Sequence, residues 1–227
     1  MGKLFLVPTP IGNLSDMTFR GVEVLKSAAY ILAEDTRVSR KILQHFEIEN
    51  KLISLHSANE HRLTHKHVDF LAGSEENLAM ISDAGTPGLS DPGYLIVKYS
   101  LEKNIPVECL PGATAFLPAL IESGLPSDRF CFEGFLPHKK GRQKRLKELS
   151  EESRTIVFYE SPYRVLKLFQ ELIDHIGEDR QASFSRELTK LHGETVRGTV
   201  AELYERLANT TKIKGEFVIV VAGKQKK

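Results

Sequence analysis

Ile81-Ser82-Asp83-Ala84-Gly85-Thr86-Pro87-Gly88-Leu89-Ser90-Asp91-Pro92-Gly93 is an unusual way to leave a strand. The apolar run Leu78, Ala79, Met80, Ile81 reads as a short buried strand that stops at Ser82. A simple turn needs one or two special residues, yet positions 85–93 hold three Gly and two Pro. Gly lets backbone approach a ligand closely, Pro sets the loop's shape, and Asp83 can accept hydrogen bonds. In an open α/β sheet, ligands sit at the carboxyl ends of strands. Taken alone, the stretch fits either such a site or an elaborate surface loop.

Two other segments repeat the pattern. Leu4–Val7 runs straight into Pro8-Thr9-Pro10-Ile11-Gly12-Asn13, and Val107–Leu110 into Pro111-Gly112-Ala113-Thr114-Ala115. Three strands that each end in a Pro/Gly loop before a helical pattern suggest one pocket built from loop backbone. No G-x-G-x-x-G fingerprint and no G-x-x-x-x-G-K-[ST] loop occurs, which argues against the usual nucleoside-triphosphate site.

Working outward, strands alternate with helices nearly throughout. The first half predicts strands at Leu4–Val7, Tyr30–Ala33, Lys51–Leu55, Leu78–Ser82 and Val107–Leu110. Helices are expected at Thr18–Ala29, Thr36–Phe46, Asn59–Ala72, Tyr94–Lys103 and from Thr114 to about Ser123. Gly124-Leu125-Pro126-Ser127-Asp128 is the candidate linker, dividing a domain 1–123 from a domain 124–227. The second half predicts strands at Phe130–Phe135, Thr155–Tyr159, Ala182–Arg186 and Glu216–Ala222, with helices at about Arg142–Ser150, Pro162–Ile176 and Val200–Ala208. The alternation argues for a mostly parallel sheet covered by helices, and the expected fold class is two α/β domains with a cleft between them.

Composition excludes little: the 227 residues are 41% hydrophobic and 27% charged, with formal net charge +1, so any basic surface must be local. Cys109 and Cys131 lie in strand-like runs and read as buried free thiols. The amino terminus lacks a signal-peptide pattern, and no apolar run approaches the ~20 residues of a membrane span, so a cytoplasmic protein is expected. His61 and His65 share a helical spacing in a largely polar segment; a solvated helix face is the expectation there, and no metal site is assigned. The tail Lys224-Gln225-Lys226-Lys227 is a short basic run.

Polar clusters recur where strands end. Ala33-Glu34-Asp35-Thr36-Arg37 reads either as helix capping by Asp35 or Thr36, or as a pocket carboxylate at Glu34. Tyr159-Glu160-Ser161-Pro162 and Arg186-Glu187-Leu188-Thr189-Lys190 repeat the arrangement. The run His138-Lys139-Lys140-Gly141-Arg142-Gln143-Lys144-Arg145-Leu146-Lys147 carries six Lys/Arg and no acid, the local density that phosphate contact requires.

These motifs together resemble the tetrapyrrole methylase superfamily, and within it the methyltransferases of small-subunit ribosomal RNA. The resemblance rests on Thr9–Leu14, Ala33–Arg37, Ser82–Gly88, Ser90–Gly93, Glu133-Gly134-Phe135-Leu136-Pro137, Phe158–Pro162 and Arg186–Lys190, and spans about Leu4 to Val221. Thr114 departs from a usual Ser, and Gly193 from a common acidic residue. The resemblance implies S-adenosylmethionine in the cleft, a homodimer, and methyl transfer to the ribose 2′-oxygen of a cytidine in the decoding region of 16S rRNA. It implies cofactor contacts at Pro10, Ile11, Asp83, Ala84, Gly85, Leu89, Ala113, Thr114 and Ala115, with the second domain adding backbone near Phe158, Arg186 and Glu216. Catalytic candidates are Glu34, Glu187 and Lys190, with Glu160 also at a strand end; the RNA-contact set is Arg37, Lys139, Lys140, Arg142, Lys144 and Arg145. A corrin or porphyrin precursor methyltransferase and a non-enzymatic RNA-binding protein are the competing readings.

Overall fold

All four residues of strand β4 (Leu78–Ile81) are buried, as its unbroken apolar run requires of a strand covered on both faces. Around it, β1 (Leu4–Leu6), β2 (Tyr30–Ala33), β3 (Leu52–Ser54) and β5 (Val107–Cys109) form a wholly parallel sheet of order β3-β2-β4-β1-β5. The computed structural model describes residues 1–225; of the basic tail, Lys226 and Lys227 lie outside the described residues. The sheet belongs to the first of two compact units, Met1–Thr114; the second begins at Ala115.

Alternation along the strands sorts the first unit's core into two layers. Ala79 and Ile81 pack with Leu25 of α1 (Phe19–Ser27) and Leu43 of α2 (Thr36–His45). Leu78 and Met80 pack on the other face with Val68 and Leu71 of α3 (Glu60–Gly73) and Ile96 of α4 (Tyr94–Glu102). From β1 the chain passes to β2, whereas from β4 it passes to β5 on the opposite side of the strand order. The neighbours β1 and β4 therefore flank the topological switch point, where open α/β sheets bind ligands. Thr18 Oγ1 caps α1 by accepting from Gly21 N at 3.0 Å. Asp35, rather than Thr36, caps α2, accepting from Arg37 N at 2.8 Å.

The second unit's sheet is mixed. Strands β6 (Phe130–Phe135) and β7 (Thr155–Glu160) are parallel, but β10 (Phe217–Val221) runs antiparallel to β7 and to β8 (Gln181–Arg186). An unforeseen strand, β9 (Glu194–Thr199), pairs antiparallel with β8, giving the order β6-β7-β10-β8-β9. Its lone aliphatic, Val196, leaves almost no alternation to read, and an edge strand tolerates such polarity. Ile156, Phe158 and Phe184 pack under α6 (Arg142–Leu149), α7 (Val165–Ile176) and α8 (Val200–Ala208).

Helix α5 (Phe116–Ser123) corrects the expected division after residue 123. Its Ala119 and Leu120 are buried against Val157, Val218 and Val220 of the second unit's sheet, so the division falls one helix earlier, after Thr114. Gly124, left-handed at φ 72°, is the C-cap of that helix. The cysteines are free as expected, but Cys109 is exposed and Cys131 only half-buried, its thiol donating to Glu133 Oε1 at 3.0 Å.

Candidate functional site

At the carboxyl edge of the parallel sheet, the three Pro/Gly loops interlock. Thr9 and Gly85 exchange two backbone hydrogen bonds of 2.9 Å, joining the loop after β1 to the loop after β4. Thr9 Oγ1 also donates to Ser82 O at 3.1 Å, and Thr86 Oγ1 donates to Ala113 O at 3.0 Å, drawing in the loop after β5. Gly85 lies at φ 82°, where an added Cβ would stand 3.4 Å from Ile11 Cγ2 and 3.6 Å from Ala113 O. Expected cofactor contacts Pro10, Ile11, Asp83, Ala84, Gly85, Leu89, Ala113 and Thr114 thus come from loops that share one edge of one sheet.

Glu60 is a member of this arrangement that the sequence pattern does not reveal. It is buried at the start of α3, and its Oε1 accepts from Gly93 N at 3.0 Å and Leu95 N at 3.2 Å. The carboxylate thereby caps α4 and anchors the far end of the Ser82–Gly93 loop. Replacing it by Gln keeps an acceptor but removes the charge. Glu60→Gln should lower the unfolding free energy by about 1–2 kcal/mol in urea titration. An unchanged midpoint with an unchanged slope would show that the charge contributes nothing.

Three carboxylates gather where β2 and β4 end. Asp83 Oδ1 accepts from Asp35 N at 3.0 Å, and Asp83 N makes a long 3.5 Å contact to Glu34 Oε2. Burial first, then the Asp83 charge, raises the Glu34 pKa. Burial likewise raises that of Asp83, the Asp35 N–H partly opposing it. Asp35 behaves oppositely: its hydrogen bonds from Arg37 draw it down to about 2. Arg37, expected at RNA, is exposed but already paired with Asp35, at 2.6 Å.

In the second unit, Lys190 Nζ lies 2.9 Å from Glu187 Oε1 and 3.4 Å from Glu216 Oε2. Glu187 adopts φ 53° and its side chain lies over Gly215, where a Cβ would come within 2.5 Å of Glu187 Cγ. Glu216 N donates to Glu187 Oε1 at 3.0 Å. The Lys190 hydrogen bond lowers the Glu187 pKa. Burial pulls Lys190 down, but the Glu187 hydrogen bond and the charges of Glu216 and Glu187 outweigh it, leaving its pKa raised. Both groups are therefore ionised near neutral pH.

Several expected site residues have side chains already committed elsewhere, although the contacts expected near Phe158 and Arg186 are ones of backbone. The Phe158 side chain is wholly buried in the core, so only its backbone is available to a ligand. Arg186 is engaged with Glu194 at 2.7 Å. Glu160 is buried against Arg164, 2.8 Å away, rather than facing a pocket. Arg142 is 3% exposed and cannot meet RNA: Nε donates to Glu171 Oε2 at 2.8 Å and Nη1 to Pro137 O at 3.2 Å. Arg145 is bound to Glu133 at 2.7 and 2.5 Å and to Glu148 at 2.9 Å. Acids from β6, β7, α6 and α7 thus hold the two arginines of a run that looks unopposed in one dimension. Lys139, Lys140 and Lys144 remain exposed, Lys144 Nζ standing 4.0 Å from Glu148.

A parallel sheet with interlocked loops at its switch point, followed by a mixed sheet, defines the class, and the chain belongs to the tetrapyrrole (corrin/porphyrin) methylases, whose family model matches residues 3–204. More particularly, it is 48% identical over 224 residues to the ribosomal RNA small subunit methyltransferase I of Synechocystis sp., covering 98% of this chain and 80% of that protein. The protein of the same name from Bacillus subtilis is 46% identical, over 98% of this chain and 77% of its own length. Among solved structures, cobalt precorrin-4 methyltransferase matches with TM-score 0.70 at 17% identity, covering 97% of this chain and 94% of that one. Uroporphyrin-III C-methyltransferase from Thermus thermophilus, solved with S-adenosylhomocysteine, matches with TM-score 0.65 at 20% identity, covering 96% and 97%. At those identities the likeness is one of fold.

Proposed function

We propose that this protein methylates the ribose 2′-oxygen of a cytidine in the decoding region of 16S rRNA, using S-adenosylmethionine, and acts as a cytoplasmic homodimer. The interlock of the loops after β1, β4 and β5 at the switch point is the observation that carries the cofactor assignment. Near-full-length identity of 48% to a ribosomal RNA methyltransferase, against 17–20% for the tetrapyrrole enzymes, favours RNA over a porphyrin precursor. Among the described residues, no helix is long and apolar enough to cross a membrane.

The residues fit the cofactor. Gly85 leaves room beside Ile11 and Ala113, loop backbone supplies donors and acceptors for a nucleoside, and the Asp83 side chain adds an acceptor at the end of β4. When bound, S-adenosylmethionine supplies a methyl group already activated by its sulfonium, which leaves the protein mainly a task of alignment. A protonated ribose hydroxyl is a poor nucleophile, so a base or an alkoxide-stabilising cation should assist. Glu34, its pKa raised, is the better base; Glu187, its pKa lowered, is the weaker one. Lys190 is held as an ammonium and suits stabilisation of developing negative charge.

Radiolabelled methyl transfer to small subunits lacking their native modifications, with mapping of the labelled nucleotide, tests the proposal; label on a base, or none, would overturn it. RNA binding has its own test. Changing Lys139, Lys140 and Lys144 together to Ser should weaken RNA binding while leaving cofactor affinity intact. Its salt slope should fall by about 0.7–0.9 for each phosphate that the protein ceases to neutralise. Unchanged salt dependence would make these lysines ordinary solvated surface.

A further inference from the structure

The loops that leave the parallel pair β6 and β7 carry a group that the cofactor site does not use. Tyr163 is 95% exposed, in the short Ser161–Arg164 connection to α7. A lone exposed aromatic needs no explanation. This one sits on a loop held from beneath. Glu160, buried, accepts from Ser161 N at 2.8 Å and pairs with Arg164 at 2.8 Å. Arg164 Nη1 donates to His138 Nδ1 at 3.1 Å, tying the loop after β7 to the loop after β6. That second loop is fixed in turn by Arg142, which binds Pro137 O and Glu171. His138 leads directly into the exposed Lys139 and Lys140.

Of two loops tied to each other, one therefore carries an exposed aromatic ring and the other leads into two exposed lysines. Phosphate oxygens are the natural partners of the lysines, and an unpaired base is the natural partner of the ring. A duplex would satisfy the lysines but offer no free base face. We infer that Tyr163 is a stacking site for an unpaired nucleotide of the RNA substrate, with Lys139 and Lys140 gripping the adjoining backbone. The buried Arg142–Glu171 pair and the half-buried Glu160–Arg164 pair act as positioning groups for this platform. The inference rests on the RNA-methylation reading and deepens it, naming single-stranded RNA as what this surface selects.

The full chain with Tyr163→Ala, beside Tyr163→Phe, provides the test. The probes are a short single-stranded RNA containing cytidine and the same strand annealed to its complement. Tyr163→Ala should weaken single-strand binding by about 5- to 150-fold, the range for loss of one base stack. Its salt slope should stay that of the wild type, and duplex binding should not change. Tyr163→Phe should bind like the wild type, since the ring is kept. In methyl transfer, Tyr163→Ala should raise KM for RNA with little change in kcat. Equal loss in both variants would mean that the hydroxyl, not the ring, is used, and would overturn the inference. So would wild-type affinity in Tyr163→Ala while wild-type protein methylates ribosomal RNA normally, which would leave the function itself intact. A wild type that transfers no methyl group, combined with a single-strand defect in Tyr163→Ala, would remove the function and keep the stacking site.

Discussion

Gly85→Leu should abolish S-adenosylmethionine binding in a protein that still folds. Gly85 lies at φ 82°, where a side chain costs about 1–2 kcal/mol. A domain stable by about 5–15 kcal/mol survives that loss. A single Cβ would meet Ile11 Cγ2 at 3.4 Å, an ordinary van der Waals contact, so Gly85→Ala should bind with intermediate affinity, limited by the backbone strain and the space one methyl takes. Leucine's further carbons must occupy the space beside Ile11 and Ala113, and affinity should drop by more than about 100-fold, or ~2.7 kcal/mol. Calorimetry reads the affinity, and thermal melting checks the fold. Normal binding by a folded Gly85→Leu variant would refute the pocket.

Removing the proton acceptor should separate turnover from binding. Loss of a true general base costs about 10²- to 10⁴-fold in rate with little change in cofactor affinity. Glu34→Gln is expected to show that loss in single-turnover assays. Because burial and the Asp83 charge raise the Glu34 pKa, the wild-type rate should fall on acidification at a higher pH than for an ordinary glutamate. That acid limb should vanish in Glu34→Gln. Lys190→Met should also slow the reaction, by removing the ammonium that Glu187 and Glu216 hold. Glu187→Gln should act more weakly, through Lys190. If all three stay within about threefold of wild type, ~0.65 kcal/mol, no proton-transfer or charge-stabilising role survives and alignment alone carries the catalysis.

The first unit is legible in the sequence because its strands are short apolar runs cut off by Pro and Gly, a contrast that one dimension preserves. Leu78–Ile81 followed by Ser82–Gly93 announces both a buried strand and the interlocked loop of the candidate site at its end. What escapes depends on partners distant in the chain. Arg142 looks solvated because Glu171, from another element, supplies its partner. The polar strand Glu194–Thr199 is held by backbone pairing with β8, which side-chain pattern does not encode. Helix α5 reads as part of the wrong unit because Gly124-Leu125-Pro126 has linker composition, whereas its membership is set by Ala119 and Leu120 against Val218 and Val220. Glu60 gives no signal, since a lone acid at a helix start looks like any first-turn carboxylate.

The order of the parallel sheet has a consequence for how the chain is made. Leu4 is flanked in register by Leu78 on one side and Val107 on the other. β1 is therefore interior to the sheet, and both its neighbours are synthesised much later than it is. At about 5–20 residues per second, its pairing partners are missing for several seconds. Through that interval Leu4-Phe5-Leu6-Val7 is an apolar strand with two open edges, the kind of segment that pairs with other chains. Non-local closure of this kind is slow even once the chain is complete. Nascent protein should thus be most prone to aggregate before Val107–Cys109 emerges, and chains truncated ahead of that strand should be the least soluble.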